Sequence, residues 1–469
     1  MTSAPAATPA PGSTTLGRLR ESGHEHRTVK AEVRANLLAR LAAGEPTFPG
    51  LLGFDDTVLP ELERALIAGH DVVLLGERGQ GKTRLARTVA GLLDEWVPEV
   101  GGCEIHDHPY APVCGRCTRL LAELGDELPV AWLHRSDRYG EKLATPDTSV
   151  GDLIGDVDPI RVAEGRTLGD PETVHYGLVP RTNRGVFTVN ELPDLAERIQ
   201  VALLNVLEER DVQVRGYTLR LPLDLLLIAS ANPEDYTNRG RIITPLKDRF
   251  GTEVRTHYPL ALEDEVRVVL QEADLTGAVV PDHLVEVVAR YTRLVRDAPQ
   301  VDQRSGVSAR FAVASAETVA ASAARRAAVT GEAQAVARVC DLPSVISASR
   351  GKVEFEAAEE GRETEVLAHL LRKATADTFR ARLAGLDLTG LQERAGTDPV
   401  ETGDLVPAAD LLARLGTVPG LAQLLQRLGI EEESPGLAAA ALELALEGLH
   451  LNRRLAKETV GGRAVYGGR

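Results

Sequence analysis

The stretch Gly76-Glu77-Arg78-Gly79-Gln80-Gly81-Lys82-Thr83 satisfies the pattern G-x-x-x-x-G-K-[ST] at every required position. It follows an apolar run, DVVLLG (71–76), and opens a helical pattern, TRLARTVAGLL. Strand, glycine-rich loop and helix in that order are what a phosphate-binding loop needs. The glycines let backbone N–H groups turn inward around a β-phosphate, and the helix N-terminus adds its dipole. Lys82 is placed to reach the β- and γ-phosphates, and the Thr83 hydroxyl to sit on Mg²⁺. The expected ligands are ATP and Mg²⁺.

Outward from this loop, short apolar runs alternate with helical stretches from Leu51 to about Arg255. That alternation predicts a parallel sheet covered by helices. The candidate strands are DVVLLG (71–76), PVAWLH (129–134), GVFTVN (185–190), DLLLIAS (224–230) and TEVRTH (252–257). The first, third and fourth are nearly continuous apolar runs, as expected when both faces of a strand are covered. The segment 145–184, rich in Gly, Pro and Asp, is long for a connection and points to an insertion or a functional loop. Beyond Pro259 the strand signals stop, and helical periodicity runs through 261–273, 281–297 and 308–329. The expected organisation is a disordered tail over 1–15, a helical lead-in over 16–50 and a core over 51–258. A helical lid over 259–350 and a helical region over 351–469 follow.

The polar residues that end the later strands carry the chemistry. GVFTVNEL ends in Asn190-Glu191, where P-loop ATPases usually have Asp-Glu. Glu191 is placed as the base that activates the attacking water. Asn190 can accept a hydrogen bond from a Mg²⁺-bound water but brings no charge, which predicts weaker metal affinity and slower turnover. DLLLIASANPED ends at Asn232, a side chain able to hold the attacking water. Pro245-Leu246-Lys247-Asp248-Arg249-Phe250 carries Arg249, which could be donated across a subunit boundary to the γ-phosphate. Ser308-Ala309-Arg310 opens a later helix, from which Arg310 could reach the same phosphates.

In order, the chain reads P-loop, long insertion, NRGVFTVNE, ALLNVLEERDVQVRG, LLLIASANPED, PLKDRFG and S-x-R. This order resembles the AAA+ clade of the magnesium-chelatase ATPase subunit and the MoxR-type ATPases, over roughly residues 50–330. The resemblance implies an α/β fold: an αβα P-loop core with a parallel five-stranded sheet, then a helical lid. It also implies a hexameric ring with active sites between subunits. Lys82, Thr83, Glu191, Asn232, Arg249 and Arg310 then take the P-loop, base, sensor, finger and lid-sensor roles. The segment 145–184 corresponds to the clade's hairpin insertions, and VQVRGYTLRLP (212–222) to the hairpin before the sensor strand. A partner with a von Willebrand A domain is implied as well, and the clade's work is ATP-driven remodelling of that partner or its client. Two alternatives stand beside it: the motor subunit of a metal chelatase proper, and a nucleotide-switched scaffold that scarcely hydrolyses ATP. An enhancer-binding transcription activator shares parts of this ATPase, but the sequence has no GAFTGA loop and no helix-turn-helix candidate with a basic face.

Bulk properties narrow the setting. The formal charge of −16 argues against a general affinity for nucleic acid or anionic membrane. No apolar run approaches the roughly 18–20 residues of a membrane span, and the first residues lack the pattern of a secretory signal. A cytoplasmic location is expected. Four cysteines in 469 residues are not a disulfide scaffold. Three of them fall in one stretch, Cys103 to Cys117, where Cys114 and Cys117 have C-x-x-C spacing. With His106 or His108 as fourth ligand, they could form a structural Cys₃His zinc site.

Overall fold

The computed structural model describes residues 9–12, 14–158, 163, 173–208, 212–214, 217–219, 221–233, 241–302, 306–415, 418–430, 434–460 and 463–468. The middle of the insertion expected over 145–184 lies outside them. The chain forms two compact units, Met1–His257 and Tyr258–Arg469.

The first unit is organised by a five-stranded parallel sheet: β1 (Val72–Leu75), β2 (Tyr139–Leu143), β3 (Gly185–Asn190), β4 (Leu225–Ala231) and β5 (Thr252–Arg255). Their spatial order is β5-β1-β4-β3-β2. Alternate residues of each strand enter different cores. Val72, Leu74, Val186, Leu226 and Ile228 pack with Val33, Leu37, Leu62, Leu66 and Leu85 of helices Val29–Ala43, Val58–Ala68 and Lys82–Val89. Val73, Leu75, Phe187, Val189, Leu227 and Ala229 pack with Ile199, Leu203 and Leu246 of helices Glu197–Glu208 and Thr244–Arg249. Side chains alternate across a strand, so helices cover both faces and the layers are α, β, α. This accounts for the continuous apolar runs, since all six residues of β3 are buried.

Two sequence expectations change here. PVAWLH does form a strand, Pro129–His134, but outside the parallel sheet. It pairs antiparallel with Trp96–Val100 on one side and Thr14–Thr15 on the other. Its residues are only intermittently buried, as in a sheet with one wet face. The tail expected to be disordered through residue 15 therefore ends in a strand, and the Trp132 indole N–H donates to Gly12 O at 3.1 Å. The parallel position goes instead to β2, Tyr-Gly-Glu-Lys-Leu, an edge strand whose polar residues hide it from an apolar pattern. A buried bidentate ion pair, Arg138 Nη2 to Glu32 Oε2 at 2.7 Å and Nη1 to Oε1 at 2.8 Å, holds the lead-in helix against the start of β2.

The insertion holds a short antiparallel pair, Gly155–Val157 with Val174–Tyr176, and a second pair joins Val212–Val214 to Tyr217–Leu219.

The second unit is mainly helical around one core running from Val269 to Tyr466. Its central helix, Pro435–Leu451, is buried from Ala438 to Leu449, including Glu443 and Glu447. Arg338 Nε lies 3.5 Å from Glu443, and Lys457 Nζ 2.7 Å from Glu447. Strands were not expected after Pro259, yet Val400–Thr402, Ala456–Val460 and Arg463–Gly467 form an antiparallel sheet. They are short and carry Lys, Glu and Arg, so no apolar alternation announces them. No helix among the described residues is long and apolar enough to cross a membrane.

Candidate functional site

Parallel strands bring their C-terminal ends to one edge, where open α/β sheets bind ligands. The register sets which residues meet there. Ala231 of β4 is opposite Leu75 of β1, and Ala229 of β4 is opposite Val189 of β3. Gly76, Asn190, Glu191 and Asn232 therefore leave adjacent strand ends side by side.

The loop Gly76–Gly81 is shaped by its glycines and tied from within. Gly79 and Gly81 have φ of 77° and 78°, in the left-handed region that glycine tolerates. A Cβ at Gly76 would lie 2.0 Å from Thr256 Oγ1 and 2.3 Å from Gln80 Oε1. The buried Gln80 Oε1 accepts from Glu77 N at 3.0 Å and from Thr256 Oγ1 at 2.9 Å, fastening the loop to the end of β5. Lys82, also buried, donates to Gly76 O and, at 2.8 Å, to Glu77 O. Arg78 is exposed at the tip. Lys82 begins helix Lys82–Val89, so the helix N-terminus faces the loop.

Asn190 stands at the centre of a small polar network. Its Nδ2 donates to Glu141 Oε1 at 2.8 Å, and its Oδ1 accepts from Ser230 Oγ at 3.2 Å and lies 3.4 Å from Thr83 Oγ1. A carboxylate only accepts hydrogen bonds, so Glu141 fixes which way the amide faces and turns its oxygen toward Thr83. Ser230 Oγ in turn accepts from Glu191 N at 3.2 Å. Glu191 is left-handed, with φ 55°. That conformation, rare for a residue with a side chain, follows the last strand residue and redirects the chain at the sheet edge. Glu141 is also gripped by Arg87 of the P-loop helix, Nε to Oε2 at 2.8 Å and Nη2 to Oε1 at 3.0 Å. Burial pushes the Glu141 carboxyl up, but hydrogen bonds from Arg87, Tyr139 and Asn190 outweigh it, and its pKa lies below the ordinary value. Glu141 was missed in the sequence because no motif names an edge-strand acid. The oxygen donors Thr83 and Asn190, backed by this carboxylate, are the hard ligand type that suits Mg²⁺.

The remaining expected residues are placed as follows. Asn232 is buried just beyond β4. Arg249 ends helix Thr244–Arg249, is exposed, and pairs with Glu208. Arg310 belongs to the second unit, exposed near the start of helix Ala309–Thr330.

The cysteine-rich stretch connects Trp96–Val100 to helix Gly115–Leu124. Cys103, Cys114 and Cys117 come together, but the fourth group beside them is Asp107 rather than either histidine. His106 Nδ1 turns to Glu99 Oε2 at 2.6 Å. His108 accepts from Tyr110 N at 3.0 Å and packs its ring 4.1 Å from that of His26. Hydrogen bonds with Cys114 and Cys117 hold Cys103 down at about 2, while those with Cys103 and Cys114, and burial, push Cys117 well up.

Residues 166–249 match the family model of the Sigma-54 interaction domain. The magnesium-chelatase 38 kDa subunit of Acidiphilium rubrum is 29% identical over 386 residues, covering 79% of this chain and 89% of that protein. The subunit of the same description from Rhodobacter capsulatus is 28% identical over 243 residues, 49% of this chain and 61% of that protein. The chloroplastic magnesium-chelatase subunit ChlI-2 of Arabidopsis thaliana is 28% identical over 205 residues, 43% of this chain and 46% of that protein. For the last two, the chain spans less than two thirds of the relative's length. With the phosphate loop set between β1 and its helix in a sheet of order 5-1-4-3-2, the chain is similar in sequence to the magnesium-chelatase subunits.

Proposed function

We propose that this chain hydrolyses Mg-ATP as a subunit of a ring and couples turnover to the remodelling of a partner that carries a von Willebrand A domain. The observation that carries the catalytic part is the meeting of Lys82, Thr83, Asn190 and Glu191 at one sheet edge, with Glu141 behind Asn190. Backbone N–H groups of the loop and the Lys82 ammonium hold the phosphates. Glu191 takes the proton of the attacking water, and Asn232 orients that water. Thr83 and Asn190 would hold Mg²⁺, which when bound would draw charge from the β- and γ-phosphates.

A nucleotide-switched scaffold was attractive because Asn190 brings no charge. Glu141, ionised and shared between Arg87 and Asn190, places a carboxylate behind the amide, which favours hydrolysis. The exposure of Arg249 suits a finger given to a neighbouring subunit, and the ring in this reading is a hexamer with interfacial sites. Arg310 belongs to this reading as the group through which the helical unit senses the phosphates. Motor work in a metal chelatase shares all of this chemistry and differs only in the client; MoxR-like remodelling and a cytoplasmic setting remain part of the preferred reading.

The test is Glu191→Gln. ATP binding is expected to persist while phosphate release falls by about 10²-fold or more. Turnover near the parent rate would remove Glu191 from the role of base.

A further inference from the structure

The loop between Val100 and Gly115 gathers one ligand atom from each of Cys103, Asp107, Cys114 and Cys117 within 4.8 Å of one another, and all four residues are buried. Tetrahedral ligands about 2.3 Å from a zinc ion lie roughly 3.8 Å apart. The four atoms therefore lie within about 1 Å of the spacing that one coordination sphere needs.

Two observations point to a cation, and a third bears on the ligand set. Asp107 Oδ2 accepts from Cys114 N at 2.9 Å, but Asp107 Oδ1 is buried with no hydrogen-bond partner among the described residues. A carboxylate oxygen in that position lacks what water would give it, and a metal ion supplies it. The sulfurs are also met by donors. Asp107 N donates to Cys103 Sγ and Cys117 N to Cys114 Sγ, both at 3.3 Å, and Arg116 brings a positive charge 3.9 Å from Cys117 Sγ. Such N–H···S bonds orient and stabilise metal-ligating sulfur. Finally, His106 Nδ1 is held by Glu99, and His108, whose Nδ1 accepts from Tyr110 N and whose Nε2 is buried without a hydrogen-bond partner among the described residues, does not belong to the group of ligand atoms.

We propose that Cys103, Asp107, Cys114 and Cys117 form a closed Cys₃Asp zinc site that fastens this loop to the segment leading into β3. Four protein ligands leave no position for water, so the site is structural. The loop it orders grips that segment by backbone carbonyls. Asn183 Nδ2 donates to Ile105 O at 2.9 Å, and Arg184 Nη1 donates to Pro98 O at 2.7 Å and His106 O at 3.1 Å. The far end of β3 carries Asn190 and Glu191. Metal binding becomes local order in the loop, and through it a fixed entry to that strand. The proposal does not depend on the ATPase reading, because its readouts are metal content and ligation.

The experiment is elemental analysis of the full-length chain purified under reducing conditions, with thiol counting and chelator competition. About one zinc per chain is expected, with three cysteines shielded from a thiol reagent until the chelator is added. Cobalt(II) exchanged for zinc should show sulfur-to-metal charge-transfer absorption. Asp107→Ala should release zinc to the chelator at least about tenfold more readily, as loss of a ligand does, while His106→Ala and His108→Ala should hold it like the parent. A metal-free chain that binds added zinc no better than a Cys-free peptide overturns the site, as does a Cys114–Cys117 disulfide. Zinc that Asp107→Ala keeps unchanged, or that either histidine variant loses, overturns the ligand assignment. If Cys114→Ser does not fold, the parent and Asp107→Ala measurements still decide.

Discussion

Asn190 Nδ2 donates to Glu141 Oε1 at 2.8 Å, so the amide at the end of β3 is held by a carboxylate from the neighbouring edge strand. The pair splits between two residues what a single Asp would do: Asn190 presents the oxygen and Glu141 the charge. Glu141→Gln should therefore lower the apparent Mg²⁺ affinity of ATP turnover by roughly 10–100-fold, the usual cost of a lost outer-shell carboxylate. Asn190→Asp alone sets two carboxylates against each other with only Arg87 to offset them, and it removes the N–H that Glu141 accepts from. It should also impair turnover. The double variant Asn190→Asp with Glu141→Gln returns a single charge and should recover most of the lost activity. Additive losses in a Mg²⁺ titration of all four proteins would show that the two residues work separately.

Arg249 and Glu208 form an exposed ion pair, the kind that adds at most about 1 kcal/mol. Arg249→Ala should leave the unfolding midpoint unchanged while turnover falls on the order of 10³-fold, as for loss of an arginine finger. Mixed with Glu191→Gln subunits, it should regain activity, since some interfaces then draw both intact groups from different chains. No regain at any mixing ratio means that Arg249 does not act across a boundary.

His283 is fully buried in the second unit. Burial, then the charge of Arg382, holds its imidazole down at about 3, against a weaker upward pull from the Ala440 backbone. The unfolded chain takes up a proton near the ordinary imidazole value of 6.5, whereas the folded chain does not until about pH 3. Stability is thus full above 6.5 and falls with acidification between those values, by about 1.4 kcal/mol per pH unit. Urea unfolding at pH 7.5 and 5.5 should show a smaller acid loss in His283→Leu than in the parent. Equal losses would place the acid sensitivity in other groups.

Gly448 lets two helices of the second unit touch. A Cβ there would lie 1.9 Å from Cδ2 of Phe379 in helix Glu363–Leu383. Alanine is the better helix former by about 1 kcal/mol, yet Gly448→Ala should destabilise by about 1–3 kcal/mol through overpacking. Pairing it with Phe379→Leu should relieve part of that cost; a neutral or stabilising Gly448→Ala measured by urea unfolding would contradict the close approach.

What could be read without coordinates follows a physical divide. β1, β3 and β4 are covered on both faces and announce themselves as apolar runs, and the P-loop constrains its own glycines, Lys82 and Thr83. The edge strand β2 packs on one neighbour only and carries Glu141 and Lys142, so nothing in its pattern separates it from a loop. Pro129–His134 took its place because apolar content does not reveal a strand's partner. The same limit hid Asp107. Cys-x-x-C spacing locates two ligands, but whether Asp107 or a flanking histidine turns inward depends on Glu99 and His26, which lie outside the stretch. The role of Glu141 was equally hidden, since it arises only when β2 pairs beside β3.

The order of strands has a consequence for how the molecule is made. β1 emerges early from the ribosome, but both its neighbours come much later, since Val72 pairs with Ile228 on one side and Thr252 on the other. At roughly 5–20 residues per second, β1 waits on the order of ten seconds or more with both edges open. A nascent chain therefore has no finished nucleotide cradle until Thr256 has arrived to hold Gln80. Until then the exposed strand is a site for a chaperone to cover, and a truncated message ending before β5 yields a chain with that edge permanently bare.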